Sequence, residues 1–248
     1  SCLQIKKRIA MSRNYEMTQE MRERLERNRR KRKRQITGRI VAVLTLLSII
    51  VVGILYKINV IPHRYYYNSH FGITTYKSSV DKDGDGIDDQ TDILCGVRDY
   101  IDNKPQYKSK YYAGGYPDDE YGVCTDVVAQ GLLKAGYDLM ILLNEDVLAH
   151  PKDYDIERPD INIDFRRVRN LYVYFQNTAI SLTTDVSKYE EWQGGDIVVF
   201  KNHIGIVSDR RNARGTPFVI HHGSPTQLGY EQDILDGRND IIGHFRVS

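Results

Sequence analysis

Helices first and strands afterwards predict an α+β domain built on an antiparallel sheet, and three stretches carry that reading. In 111–135 a Tyr/Gly/Pro/Asp loop, punctuated by Gly114, Gly115 and Pro117, passes into a helix with Val128, Leu132 and Ala135 on one apolar face. In 192–209, W-Q-G-G-D-I-V-V-F-K-N-H-I-G-I-V-S-D, a Gly-Gly-Asp turn leads into a strand over 197–200. A tight Lys201-Asn202 connection then opens a second strand at His203. A third strand, 217–222, ends in His221 and His222, and 241–247 closes the sheet.

The 248 residues allow one good-sized domain plus attachments. The formal charge of +2 hides an uneven distribution, because ten basic residues fall within 22–39 and the remainder leans acidic. Residues 1–39 read as a basic arm, with 11–35 solvated and in part disordered for want of a continuous apolar stripe. A basic run can bind nucleic acid, but this one immediately precedes an apolar segment, and a topology signal explains it better. No nucleic-acid partner is expected.

That segment, 40–56, I-V-A-V-L-T-L-L-S-I-I-V-V-G-I-L-Y, contains no charge. Seventeen residues at a rise of ~1.5 Å span about 26 Å, enough for a bilayer core. A cleaved signal peptide is the closest rival. The long basic arm before it and the lack of an A-x-A-like site after it favour a retained anchor. The arginines hold the N-terminus in the cytoplasm and put everything after Lys57 outside. The expectation is a single-pass membrane protein whose main domain is extracellular.

Residues 57–80 read as an extracellular tether, with Tyr65, Tyr66 and Tyr67 suited to the membrane interface. The main domain, 81–248, then opens on D-K-D-G-D-G-I-D-D-Q-T-D. Asp81, Asp83 and Asp85 alternate, Gly86 permits a sharp turn, and Ile87, Asp89 and Asp92 complete an oxygen cage for a structural calcium ion over 81–92. The loop resembles those of dockerins and thrombospondin type-3 repeats more than a full EF-hand, since Asp92 replaces the bidentate glutamate. The plain alternative is a solvated acidic loop.

A short helix is expected over 91–102, with Ile93, Leu94, Val97 and Ile101 inward. Cys95 within it reads as packing. Three cysteines (Cys2, Cys95, Cys124) are too few for a disulfide framework and lack zinc-finger spacing, though a Cys95–Cys124 bridge outside the cell stays open. Residues 144–155 and 156–164 read as polar connections, and 165–177 as a helix burying Val168, Leu171 and Phe175. Arg166, Arg167 and Arg169 read as its solvated face.

The chemistry centres on Cys124, where loop becomes helix. An isolated cysteine at a helix start is most often a small buried residue. Here unpaired N–H groups favour thiolate over thiol and can hold an oxyanion. Two strand-borne histidines follow, supplying what a thiol nucleophile needs: a base, and a group that orients it.

The segments G-V-C-T-D-V-V, N-I-D-F-R-R-V-R-N-L, W-Q-G-G-D-I-V-V-F, H-I-G-I-V-S-D and G-H-F-R resemble the bacterial domain-of-unknown-function 1287 family. That family groups with papain-like, NlpC-type cell-wall cysteine peptidases. The resemblance covers 111–247 and implies a papain-like fold with Cys124 as nucleophile and His203 as base. It implies Tyr111 lining the oxyanion region and a third polar residue on the next strand. There His221 is preferred to His222, because two-residue alternation puts it on the face of Val219. Val123 before the cysteine and Thr125-Asp126 after it depart from the NlpC pattern.

The expectation is therefore a membrane-anchored, outward-facing cysteine peptidase or amidase acting on a peptide amide of cell-wall peptidoglycan through a thioester. Its rivals are a thiol-dependent acyltransferase or transpeptidase, and a non-catalytic, calcium-stabilised wall-binding domain.

Overall fold

The computed structural model describes residues 2–247, which fall into two compact units, 1–57 and 58–248. The first unit is one helix, α1 (Cys2–Lys57). The stretch 11–35, expected to be partly disordered, is helical throughout. Its long-chain charged residues are good helix formers, and Glu23 and Glu26 reach Arg27 and Arg30 four residues on. The helix is long and apolar enough to cross a membrane, with a mean hydropathy of 2.5 over its most apolar window.

The second unit is mixed α+β. Its helices are α2 (Asp89–Asp102), α3 (Cys124–Lys134), α4 (Leu139–Ala149), α5 (Ile161–Asp164) and α6 (Val168–Thr178). A two-stranded parallel pair, β1 (Gln106–Tyr107) and β2 (Tyr121–Gly122), precedes α3. The main sheet contains β3 (Ile180–Ser181), β4 (Ile197–Phe200), β5 (His203–Arg211), β6 (Pro217–Ile220), β7 (Glu231–Gln232) and β8 (Ile241–Arg246). It is antiparallel, in the order β3-β8-β4-β5-β6-β7.

Alternation along the strands divides the core in two. Ile197, Val199, Ile204, Ile206, Ile220 and Phe245 pack with the helices, where Ile93, Val97, Val128, Leu132, Leu171 and Phe175 meet them. Val198, Phe200, Val207 and Val219 form a second cluster with Trp192 and Leu235 on the opposite face. The sheet is thus buried on both sides, which is why β4 reads as an unbroken apolar run.

Several local readings change. Residues 58–80 are no tether but part of this unit. A short 3-10 helix, Asn68–Phe71, docks on the fully buried Arg211, whose guanidinium donates to Asn68 Oδ1 and to the carbonyls of Tyr189, Gly215 and Trp192. Tyr66 also bridges to Arg211 through the backbone. The expected connection at 144–155 contains most of α4, whose buried stripe Leu139, Leu143, Val147 was hidden among Asn144, Glu145 and Asp146. Arg166 is not solvated but buried.

The W-Q-G-G-D and G-H-F-R segments have a structural purpose. Asp196, fully buried, accepts from the Gln193 N–H (2.8 Å), Gln90 Nε2 (2.8 Å) and Arg246 (2.6 and 2.7 Å), and pairs with His244 Nε2 (2.9 Å). Trp192 stacks on His244 with ring centroids 3.8 Å apart. One carboxylate so closes the turn before β4 and fastens α2 and β8 to it.

Candidate functional site: a cysteine at a helix start and three strand histidines

Cys124 is the first residue of α3 and 8% exposed. The preceding residue, Val123, has no side-chain acceptor, so the first N–H groups of the helix are left without a side-chain cap. Asp126 supplies the other half of a capping box, accepting from the Val123 N–H at 2.8 Å. The Cys124 sulfur sits among the N–H groups of Cys124, Thr125 and, across from the sheet, Ile204. These are donors of the kind that hold an oxyanion.

The expectation of an acidic thiol is overturned. Burial pushes the Cys124 thiol up to about 11, outweighing the N–H donors that favour thiolate; the nearby Asp126 carboxylate adds to the rise. The resting side chain is a neutral thiol.

His203 opens β5 opposite its register partner Phe200, whose ring it faces at 5.8 Å. Ile204 and Ile206 turn to the helices, so alternation gives His203 the other side, with Val207. His203 Nε2 lies 3.0 Å from His221 Nδ1, and His221 Nε2 lies 3.0 Å from Gln232 Oε1. Glutamine Oε1 only accepts, so His221 carries its proton on Nε2 and its Nδ1 accepts from His203 Nε2 in the neutral state. Gly205 permits this approach, because a Cβ there would stand 2.6 Å from Val219 and 2.8 Å from the Ile220 carbonyl.

Among the described residues no hydrogen bond joins Cys124 to His203. The sulfur meets the backbone of the neighbouring Ile204 instead. His222, one residue past His221, takes the opposite direction. Its ring packs edge-on to Tyr107 (5.1 Å) and Tyr230 (5.0 Å), and its Nδ1 is buried without a hydrogen-bond partner. Asp126 acts electrostatically on His222, and Cys124 on Tyr107, so these two side chains lie on the cysteine's side.

Tyr111 does not line the cysteine. It is 58% exposed, and its hydroxyl lies 3.5 Å from Asp160 Oδ1 and accepts from Asn162 Nδ2 at 3.3 Å. The tyrosine near the site is Tyr107, whose backbone is fixed against Gly122, two residues before Cys124. The pairing of 106–107 with 121–122 joins two-residue strands across a long loop, and nothing in the local sequence announces it.

The sequence reading also missed the Asp126–Arg166 pair. Arg166 Nε and Nη2 donate to the two Asp126 oxygens at 2.6 and 2.8 Å, with both side chains at most 1% exposed. The arginine therefore braces the first turn of α3 from the loop after α5. Its signal was present: T-D after the cysteine and the first arginine of F-R-R.

Cys95 and Cys124 are both free thiols, Cys95 on the exposed side of α2 and Cys124 buried, so no bridge joins them. Of the expected calcium ligands, Asp81, Asp83 and Asp85 bring one oxygen each within 4.8 Å of one another. Asp89 is otherwise occupied: Oδ1 accepts from the Lys82 N–H (2.8 Å) and Oδ2 from the Tyr137 hydroxyl (2.5 Å). Ile87 donates its N–H to Asp85. Asp92 is buried on α2.

A pH dependence follows from the histidines. Burial pushes His203 down to about 4 and His221 down to about 3, each helped by nearby positive charge. Both are depressed below the unfolded value of about 6.5. Their contribution to stability is complete above pH ~6.5 and is lost as pH falls toward 4, where the unfolded chain binds more protons. Melting of the full chain in detergent between pH 7.5 and 4 should show a falling midpoint, and a flatter curve for the His203→Asn/His221→Asn variant. Parallel curves for the two would contradict the assignment of neutral, buried rings.

Fold and site together define an α+β domain with a helix-start cysteine, a paired-histidine sheet and an apolar N-terminal helix. The chain belongs to the DUF1287 family (Domain of unknown function), whose model matches residues 95–247. It is also 38% identical over 168 residues to "Uncharacterized protein YijF" of Escherichia coli (strain K12), an alignment covering 62% of this chain and 80% of that protein. No solved structure matches.

Proposed function

We propose that this protein is a membrane-anchored cysteine hydrolase of the papain-like, NlpC type, facing outward and cutting a peptide amide of cell-wall peptidoglycan. The observation that carries the reading is Cys124 at the start of α3, its sulfur among the N–H groups of Cys124, Thr125 and Ile204, the residue after His203. His203, His221 and Gln232 themselves form an ordered file at two 3.0 Å contacts. Gln232 fixes the tautomer of His221, and His221 in turn orients His203. Because the resting thiol is neutral, His203 acts as a general base and takes the Cys124 proton as sulfur attacks the carbonyl. The N–H groups of Cys124 and Thr125 and that of Ile204 hold the oxyanion, with Tyr107 in place of Tyr111. The amine leaves with the proton from His203, and water then hydrolyses the thioester. Cys124 packs on the helix side of β5 and His203 turns to Phe200 and Val207 on the other, so attack by this route requires the start of β5 to turn the His203 ring toward the thiol.

A second reading gives the base to His222, favoured by its partnerless, buried Nδ1 on the side of Tyr107. In that case His203 and His221 are a structural pair.

The test is a membrane-impermeant electrophilic peptide probe applied to intact and to lysed cells, in a Cys95→Ser background that removes the exposed thiol. Labelling of intact cells that disappears in Cys124→Ala supports both chemistry and topology. Labelling only after lysis reverses the orientation, and none in either preparation removes the hydrolase.

A further inference from the structure

The acidic loop ahead of α2 contains a feature that the thiol site does not use. Asp81 accepts from the N–H groups of Gly84 (2.8 Å), Asp85 (3.2 Å) and Gly86 (2.8 Å), while Asp83 accepts from Asp85 (3.2 Å) and Asp85 from Ile87 (2.9 Å). The loop so folds on itself and gathers three exposed carboxylates. Taken alone, that is a solvated acid cluster.

Asp92 is different. It is 1% exposed, and neither carboxylate oxygen has a hydrogen-bond partner. Its neighbours are satisfied: Asp88 accepts from the Ser78 N–H and from Thr91, and Asp89 from Lys82 and Tyr137. A buried carboxylate with bare oxygens is strongly disfavoured unless a cation neutralises it. Its ion-pair neighbour is Lys134 of α3, whose Nζ stands 3.9 Å from Asp92 Oδ1 and 3.6 Å from Asp85 Oδ2. One positive charge therefore already lies between Asp92 and the loop, so Asp92 belongs to the same cluster. Burial, with Asp85, Asp83 and Asp81 nearby, raises the Asp92 carboxyl above its usual range. The loop also sits close on the end of α3, where a Cβ on Gly136 would meet Asp83 at 3.1 Å.

We propose that Asp81, Asp83, Asp85 and Asp92, with the Ile87 carbonyl, bind a calcium ion, and that Lys134 is the internal cation occupying this acidic centre in its absence. Several carboxylates gathered in one loop suit calcium, which takes six to eight oxygens, better than magnesium, which keeps its waters. Asp89 holds the loop's shape through Lys82 and Tyr137 and does not touch the ion. Because Asp92 is on α2, the ion fastens the loop to that helix and takes over the place of Lys134 from the helix begun by Cys124. This inference stands apart from the hydrolase reading.

The experiment is calorimetric titration of calcium alone into the EDTA-washed full chain in detergent, with the melting midpoint measured at each end. The expected result is one binding event and a raised midpoint. Asp92→Asn and the exposed Asp83→Asn should each weaken binding at least tenfold, while Lys134→Met, which removes the competing charge, should tighten it several-fold. Absence of both heat and midpoint shift in the parent overturns the site. So does parental affinity in Asp83→Asn, which needs no buried change and tests the loop even if Asp92→Asn fails to fold. Weaker binding in Lys134→Met overturns the role given to the lysine.

Discussion

Alanine at Cys124 and alanine at His203 are each expected to remove nearly all turnover of a peptidoglycan-derived peptide, and the double variant to lose little more. A positioned base contributes about 10²–10⁴-fold, and groups that act as one unit are non-additive. With a thiol raised to about 11, only a trace of thiolate exists at neutral pH, which makes the base's share large here. His221→Ala should cost less than His203→Ala, since it orients the base without touching the sulfur's proton. The four rates are read as kcat and kcat/KM, with Cys95→Ala as the active control. Activity surviving in His203→Ala but lost in His222→Ala would transfer the base to His222. Activity surviving in Cys124→Ala would end the thiol mechanism altogether.

The largest stability effect is expected at Arg166. Removing it strands the Asp126 carboxylate, 0% exposed, at the first turn of the helix begun by Cys124. Breaking a buried ion pair from one side costs about 3–5 kcal/mol, whereas replacing both partners by neutral groups of similar volume is often far milder. Arg166→Met should therefore lower the unfolding free energy by about that amount, and Arg166→Met with Asp126→Asn should recover much of it. Denaturant unfolding of the full chain in detergent measures both. A loss below about 0.5 kcal/mol for Arg166→Met, the range of an ordinary surface change, would mean that the pair does not brace the helix.

The sequence by itself determined whatever rests on short-range pattern. The uncharged run 40–56 identifies a membrane-competent helix because its length and composition suffice. Strand-forming residues on either side of the tight Lys201-Asn202 connection determine a hairpin, and the i, i+4 stripe of Val128 and Leu132 determines the helix begun at Cys124. The α+β class follows from the order of those elements. What only the tertiary structure decided depends on pairs far apart in the chain. The strand alternation that joins His221 to His203 also turns both toward Phe200 and Val207, a side that becomes visible only once the helices are packed. Tyr107 rather than Tyr111 approaches the cysteine because 106–107 pairs with 121–122, a contact without local propensity to announce it. Arg166 sat in a run of arginines that composition reads as solvated, and only the buried Asp126 opposite gives it a partner. The thiol's acidity was misread for the same reason. A helix terminus is legible in sequence, whereas the burial that overrides it is a property of the assembled core.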